Sequence, residues 1–291
     1  MTNENSLLWK EISSCEGDSD VKNKIWLPII ALLGGVVGFG LRFWQRATAF
    51  DTTTQLVDGS APATLGLLAW FGLMALVAVV VSVKRNESIE DKTVFFSDCK
   101  LYLILMTISA FAFLAAAVLG VAEFAERLKL WQQVPELYGV PVVQGLVSVC
   151  CLLGSIGTLA AGKNNYKQTA EDKTASYLTF PAYAAMMMLI MVYQEHSVSA
   201  VLLDSFVPIL SAVFLLLGLY QQVAFYYEHG SMFFYQVCAV MGVVFGVTSL
   251  ADRPGYLTSM ASIAMCICLL GGLLAYTLPY QREQRNRCLE E

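Results

Sequence analysis

Charged residues are scarce in this sequence: they make up 14% of its 291 residues, whereas 57% are hydrophobic. A soluble domain usually carries about a quarter charged residues. The mean hydropathy is correspondingly positive, at +0.60. This shortage of charge argues against a soluble protein and indicates that much apolar surface faces lipid.

A broad basic surface is also excluded, since the net charge is −5 at pH 7. A nucleic-acid-binding surface needs clustered Lys and Arg. No RNP, helix-turn-helix or zinc-finger spacing occurs in the sequence. We therefore expect no nucleic-acid partner.

Histidine is nearly absent, with His196 and His229 the only two. The predicted topology places them near opposite membrane faces, so they cannot ligate one haem together. The sequence also lacks paired Glu-x-x-His motifs, Cys-rich iron–sulfur spacings, and Ser-His, paired-Asp or His-Glu-x-x-His arrangements at bilayer depth. We therefore expect a protein that is not an enzyme, with no catalytic residues, no metal site and no cofactor.

The sequence does contain eight apolar runs of about 17–25 residues, the length that crosses the hydrocarbon core of a bilayer as an α-helix. They predict an all-α, polytopic transmembrane bundle of about eight helices over residues 25–278, with polar tails at 1–24 and 279–291. The predicted spans are 25–44, 64–83, 101–121, 140–161, 177–194, 201–225, 233–250 and 258–278.

Lysine and arginine are distributed unevenly between successive loops, and this bias predicts orientation. Thirteen of the 18 basic residues fall on the side of the N-terminus and five on the other side. Both termini are therefore predicted to be cytoplasmic, which agrees with an even number of spans. The eight cysteines fall within spans or on the cytoplasmic side, so we expect no disulfides.

One short repeat raises the question of an internal duplication. Glu90-Asp91-Lys92-Thr93 recurs as Glu171-Asp172-Lys173-Thr174, and at the same offset Tyr102 matches Tyr183 and Met106 matches Met187. Parallel repeats of this kind occur in transporters. Coincidence between charged loops in a biased sequence is the alternative, and both interpretations stay open.

Glycines are concentrated in the first and fourth spans. Gly34-x-x-x-Gly38 lies in the first, and the fourth carries a small-residue surface that includes Gly145, Gly154 and Gly157. Small residues let helix backbones approach closely in lipid. We therefore predict that both spans lie in the interior of the bundle.

The middle of the predicted spans holds no charge, which argues against proton coupling and voltage sensing. Polar groups gather instead at the predicted outer ends, where a mixed-charge mouth could bind a small zwitterion, an amine or a divalent cation. The alternative is that they are solvated helix ends in contact with lipid headgroups. The candidate ligand-binding residues are Arg42, Arg46, Asp51, Glu123, Glu126, Glu195, His196 and Asp204.

Arg42 is the most informative residue of this set. It lies at the outer end of a glycine-rich helix, beside Phe39, Phe43 and Trp44, which suit a membrane interface. The favoured interpretation is an arginine that snorkels to headgroup phosphates. The other is an anion clamp paired in turn with Asp51.

Three motifs in this region carry a resemblance: Leu41-Arg42-x-Trp44-Gln45, Thr48-Ala49-Phe50-Asp51 and Ala61-Pro62-Ala63-Thr64. The stretch resembles a segment of bacterial polytopic membrane proteins to which no activity is assigned. The resemblance implies an integral protein of the bacterial plasma membrane and brings no functional residues. Length and helix count are also similar to the membrane-anchor subunits of dimethyl-sulfoxide-reductase-type enzymes, from which a cytoplasmic N-terminus departs.

Two functions follow as hypotheses. The first is a small-molecule transporter or ligand-binding membrane protein with its polar mouth on the extracytoplasmic side, which should show a polar path between helices. The second is a non-catalytic anchor or partner subunit of a larger complex, which should show a closed apolar core. The expected partners are the lipid bilayer together with a small-molecule ligand or a protein subunit.

Overall fold

A computed structural model of the chain describes residues 18–49, 57–84, 100–133, 141–167, 172–197, 202–227 and 230–277. These residues form eight α-helices and a 3-10 turn at Leu250–Asp252. The helices are α1 (Asp18–Thr48), α2 (Pro62–Lys84), α3 (Lys100–Gln133), α4 (Val142–Lys167), α5 (Asp172–Ser197), α6 (Leu202–Tyr226), α7 (Met232–Ser249) and α8 (Tyr256–Thr277).

All eight helices are long and apolar enough to cross a membrane, so the predicted all-α, eight-helix fold is confirmed. Successive helices end alternately at the two ends of the bundle. We call these the Arg42 end, where α1, α3, α5 and α7 finish, and the Tyr102 end, where they begin. Which end faces the cytoplasm stays a prediction from the basic residues.

The centre of the bundle is formed by α7 and α8, which corrects the prediction that the first and fourth spans are its interior. The apolar segments of α7 and α8 are 72% and 67% buried, against 39% for α1 and for α4. Helices α1, α2 and α6 pack around α7, and α3 and α6 pack against α8. Glycine content therefore marks close helix pairing rather than central position.

Glycines of α1 bring its backbone against α7 and α2. A Cβ at Gly38 would collide with the Thr248 hydroxyl, and one at Gly35 would lie 2.8 Å from Val247 Cβ. The Trp70 indole of α2 donates a hydrogen bond to the Gly34 carbonyl at 3.1 Å. The predicted close approach at Gly34-x-x-x-Gly38 is thus present, and it fixes how far α1 lies from the centre.

Glycines of α4 act in the same way on its two neighbours in the chain. Gly154 packs on the Phe113 ring of α3, with 3.5 Å from its Cβ position to the ring. Gly157 faces the Tyr177 carbonyl of α5, which a Cβ would hit. Pro181 lies four residues after Tyr177 and has no N–H to bond that carbonyl. The close approach of Gly157 therefore covers a carbonyl that helix α5 cannot satisfy.

The hypothesis of an internal duplication gains no support from the packing. Tyr102 is fully buried, whereas its counterpart Tyr183 is 53% exposed. Helix α4 packs along the length of α5, but the principal partners of α2 among the described residues are α1 and α7 rather than α3. The first copy of the charged motif lies outside the described residues. Equivalent sequence positions thus occupy unlike environments.

Helices α1 and α3 extend furthest beyond the predicted spans. Helix α1 begins at Asp18, within the segment predicted as a tail, and α3 continues to Gln133, twelve residues past its predicted limit at 121. The extension of α3 carries Glu123, Glu126 and Arg127, which a helix tolerates once it has left the hydrocarbon region. The five cysteines among the described residues are all free.

Candidate functional site

Arg42 is completely buried, with a side chain only 1% exposed, and is paired with Asp252. Its Nε donates a hydrogen bond to Asp252 Oδ1 at 2.8 Å, and its Nη1 donates one to Gln45 Oε1 at 2.8 Å. The guanidinium carbon lies 5.9 Å from the centre of the Phe206 ring. The interpretation of Arg42 as a snorkelling arginine is therefore wrong: the side chain points into the protein.

Two local features bring this ion pair together. The glycine face of α1 packs closely on α7, so Arg42, one turn after Gly38, lies beside the end of α7. The 3-10 turn at Leu250–Asp252 continues α7, and Arg253 then takes a left-handed conformation with φ 51°. Because Pro254 disfavours a helical residue before it, the chain turns here and leaves the Asp252 carboxylate facing α1.

Hydrogen bonds connect the pair onward to α2. Gln45 Nε2 donates to Thr64 Oγ1 at 2.9 Å, and Thr64 Oγ1 donates to the Asp58 carbonyl at 2.9 Å. Gln45 is 1% exposed and Thr64 6%. The Asp58 carboxylate accepts hydrogen bonds from the Ser60 hydroxyl and from the Ser60 backbone N–H. Both lower its pKa, the hydroxyl more strongly, so this exposed group is charged at neutral pH. These hydrogen bonds thus join α1, α2, the loop before α2 and the α7–α8 turn, and the contact with the Phe206 ring adds α6.

Arg46 belongs to the same site, but at its rim. Its Nη1 lies 3.5 Å from Asp252 Oδ1, and its side chain is 36% exposed. Asp51, the expected partner of Arg42, lies outside the described residues. The carboxylate that the structure brings to both arginines is Asp252, more than 200 positions away along the chain.

Glu123 forms a second polar site, at the N-terminus of α8. Its Oε1 accepts a hydrogen bond from the Leu257 N–H at 3.1 Å, and its Oε2 accepts one from Gln144 Nε2 at 3.0 Å. The first N–H groups of a helix lack partners within the helix, and a carboxylate there is favoured by the helix dipole. Glu123 therefore has a structural role in holding α3 against α8 and α4.

Of the remaining predicted residues, Glu195 has a described partner other than Arg42. Glu195 pairs with Arg127 at 3.0 Å between α5 and α3, and both side chains are exposed. Glu126 is exposed and has no ion pair among the described residues. His196 and Asp204 lie in α5 and α6, but their side chains are not among those described. Among the described side chains, the predicted residues thus take part in three sets of contacts: Arg42 and Arg46 with Asp252, Glu123 with Leu257 and Gln144, and Glu195 with Arg127. Whether they form a single mouth stays a prediction.

Comparisons with known proteins give no further guide. No protein-family model matches the sequence, no curated protein is similar to it, and no solved structure matches its fold. Within the described ranges, no group of three or more His, Cys, Asp or Glu residues is arranged to hold a metal ion. The functional proposal below therefore starts from the contacts of Arg42.

Proposed function

We propose that the protein is a small-molecule transporter or ligand-binding membrane protein that contacts a polar solute at the Arg42 end. The observation that carries the proposal is the buried Arg42–Asp252 pair, with its 2.8 Å contact at the end of the membrane-spanning helices. Ionisable side chains within transmembrane segments are rare and mark functional sites.

Stability alone is a weak reason for such a pair. Desolvation of two charges offsets much of their attraction, and apolar residues of similar volume often give equal or greater stability. Arginine, in contrast, is well suited to ligand recognition, because its planar guanidinium binds carboxylates with two parallel hydrogen bonds. A zwitterionic solute matches the site, since its carboxylate fits Arg42 and its ammonium group fits Asp252.

Access to the pair is from the Arg42 end. Asp252 is 12% exposed and Arg46 is 36% exposed, so the site is deepest at Arg42 and opens towards these two side chains. Gln45 and Thr64 connect the same guanidinium to α2, the least buried helix of the bundle. Movement of α2 would therefore displace Arg42 through the hydrogen bonds of Thr64 and Gln45.

Ligand-dependent thermal stability tests the proposal. The purified protein would be heated with members of a panel of amino acids, amines, nucleosides and vitamins, as wild type and as Arg42→Gln. Arg127→Gln is the matched control, since Arg127 also pairs with a carboxylate at this end but is exposed. We expect one class of compound to stabilise the wild type and Arg127→Gln but not Arg42→Gln. Stabilisation by no compound would overturn the proposal.

A second candidate is the anchor or partner subunit, which one observation favours. Between the two ends, the bundle is filled by buried apolar side chains of α7 and α8, among them Val243, Val244, Met265 and Leu269. Such packing is expected of a closed core. Co-purification of a different protein in fixed stoichiometry would favour this candidate over the transporter.

A further inference from the structure

Another buried polar group lies at the Tyr102 end, opposite Arg42. Asn165 of α4 is fully buried, and its Nδ2 donates to Tyr102 Oη of α3 at 2.8 Å. Tyr226 of α6 donates its hydroxyl to Asn165 Oδ1 at 2.6 Å. One asparagine thus links three helices about one turn from their ends, and every member of the group is uncharged.

Gln222 lies one turn before Tyr226 on the same face of α6. It is 0% exposed, and neither its Nε2 nor its Oε1 has a hydrogen-bond partner among the described residues. A Cβ at Gly272 of α8 would lie 3.1 Å from Gln222 Nε2 and would collide with the hydroxyl of Tyr235 on α7. Gly272 therefore places the amide and the phenol side by side.

A buried amide without partners is costly, and native proteins contain few of them. This one is held in a defined place, between α6, α7 and α8, by close packing on Gly272. The amide offers two donors and two acceptor lone pairs, and the phenol offers a donor and an acceptor. Such a combination is complementary to an amide or hydroxyl group of a ligand.

The interface between α6 and α7, which we call the α6–α7 seam, connects this group to the Arg42 site. Phe206 of α6 lies beneath Arg42, and Ser211 of α6 contacts Ser249 of α7 at 3.4 Å between hydroxyl oxygens. Further towards the Tyr102 end, a Cβ added at Gly218 of α6 or at Gly242 of α7 would lie within 3.2 Å of the Leu269 side chain. Leu269 thus packs in the notch between these two glycines. Gln222 follows on the Tyr102 side of this notch, one turn after Gly218.

We infer that Gln222 and Tyr235 form a second solute-binding site, at the opposite end of the α6–α7 seam from Arg42, and that this site takes a polar solute without net charge. The inference rests on the proposed function, because it treats the seam as the route of the same solute. The described side chains of the seam between the two sites are uncharged. A solute with net charge would lose its hydration in the seam without gaining a counter-charge, which is costly. A zwitterion, or an uncharged solute with hydroxyl or amide groups, avoids the cost of an uncompensated net charge.

Gln236 supplies a matched control. It is also a fully buried carboxamide near the Tyr102 end without protein partners among the described residues. It shares a face of α7 with Val243 and Val247, which pack on Gly35 of α1, and so lies away from Tyr235 around the helix. Gln222→Leu and Gln236→Leu make the same chemical change at the same depth on different faces.

The experiment measures thermal midpoints with glycine, acetamide, glycerol and uridine as net-neutral probes, and acetate and methylammonium as charged ones. We expect at least one neutral probe to raise the wild-type midpoint by about 5–10 °C at a hundredfold excess over Kd. Gln222→Leu should raise the midpoint without probe, because an unpaired buried amide is removed. It should also weaken probe binding at least about tenfold, whereas Gln236→Leu should leave binding unchanged.

Four outcomes would overturn the inference, and the first three separate it from the proposed function. Binding that is lost in Arg42→Gln but kept in Gln222→Leu removes the second site and leaves the first. Stabilisation by acetate or methylammonium alone contradicts the solute class. If no probe binds the wild type, while one of the panel above does, the proposed function stands and this inference fails; if nothing binds at all, both fail.

Discussion

Replacement of Asp252 by asparagine is the sharpest test of the buried ion pair. The change keeps the size of the side chain and its Oδ1 acceptor, but it removes the carboxylate that Arg42 Nε contacts at 2.8 Å. The two side chains are 1% and 12% exposed, so this is a buried ion pair. Removing one partner of a buried pair costs about 3–5 kcal/mol. At about 2–4 °C per kcal/mol, the thermal midpoint should fall by about 6–20 °C.

The exposed pair Arg127–Glu195 gives the control for this prediction. Its contact distance is similar, at 3.0 Å, but its side chains are 53% and 37% exposed, and surface pairs contribute about 0–1 kcal/mol. Glu195→Gln should therefore lower the midpoint by no more than about 4 °C. The double variant Arg42→Gln/Asp252→Asn should recover part of the lost stability, because it removes both charges and leaves no unpaired charge buried. Equal midpoints for Asp252→Asn and Glu195→Gln would refute the reasoning.

Three further predictions test the packing, the Glu123 contact and the orientation. Gly38→Ala should destabilise the protein by about 1–3 kcal/mol, because the added Cβ collides with Thr248. Gly40→Ala should not, because no atom lies within 4 Å of its Cβ position. Equal thermal midpoints for the two variants would contradict the close packing of α1 on α7. Glu123→Gln should cost about 0.5–2 kcal/mol through loss of the charge at the N-terminus of α8, against less than about 0.5 kcal/mol for exposed Glu126→Gln; the reverse order would rule out the helix-capping role. Reporter fusions to the two chain ends should both report the cytoplasm, and an extracytoplasmic signal from either end would make the predicted orientation wrong.

The helices could be predicted from the sequence because their signal is local. Each run has the length and hydropathy of a membrane span by itself, and all eight match helices of the structure. Glycine patterns correctly indicated close pairing at Gly38 and Gly157. They could not indicate which helices are central, because a helix that pairs closely with one neighbour can still face lipid on its other side, as α1 does.

The candidate site was harder to predict because its contacts are long-range. Arg42 stood out by its place in the sequence, but its partner Asp252 is far away in the chain, and no local pattern distinguishes this carboxylate from others at helix ends. Gln45 and Thr64 belong to sequence motifs noted above, yet their roles depend on the packing of α1 against α2. Gln222 and Asn165 were missed altogether, because single amides in apolar runs give no periodic signal.

The composition of the protein as purified from its native membrane, in a mild detergent or a native nanodisc, tests the central claim most directly. A self-sufficient transporter or ligand-binding protein should consist of this chain alone, as one copy or several, and should retain its response to solute. A different protein subunit in fixed stoichiometry, with no response to any solute, would contradict the claim and favour the anchor.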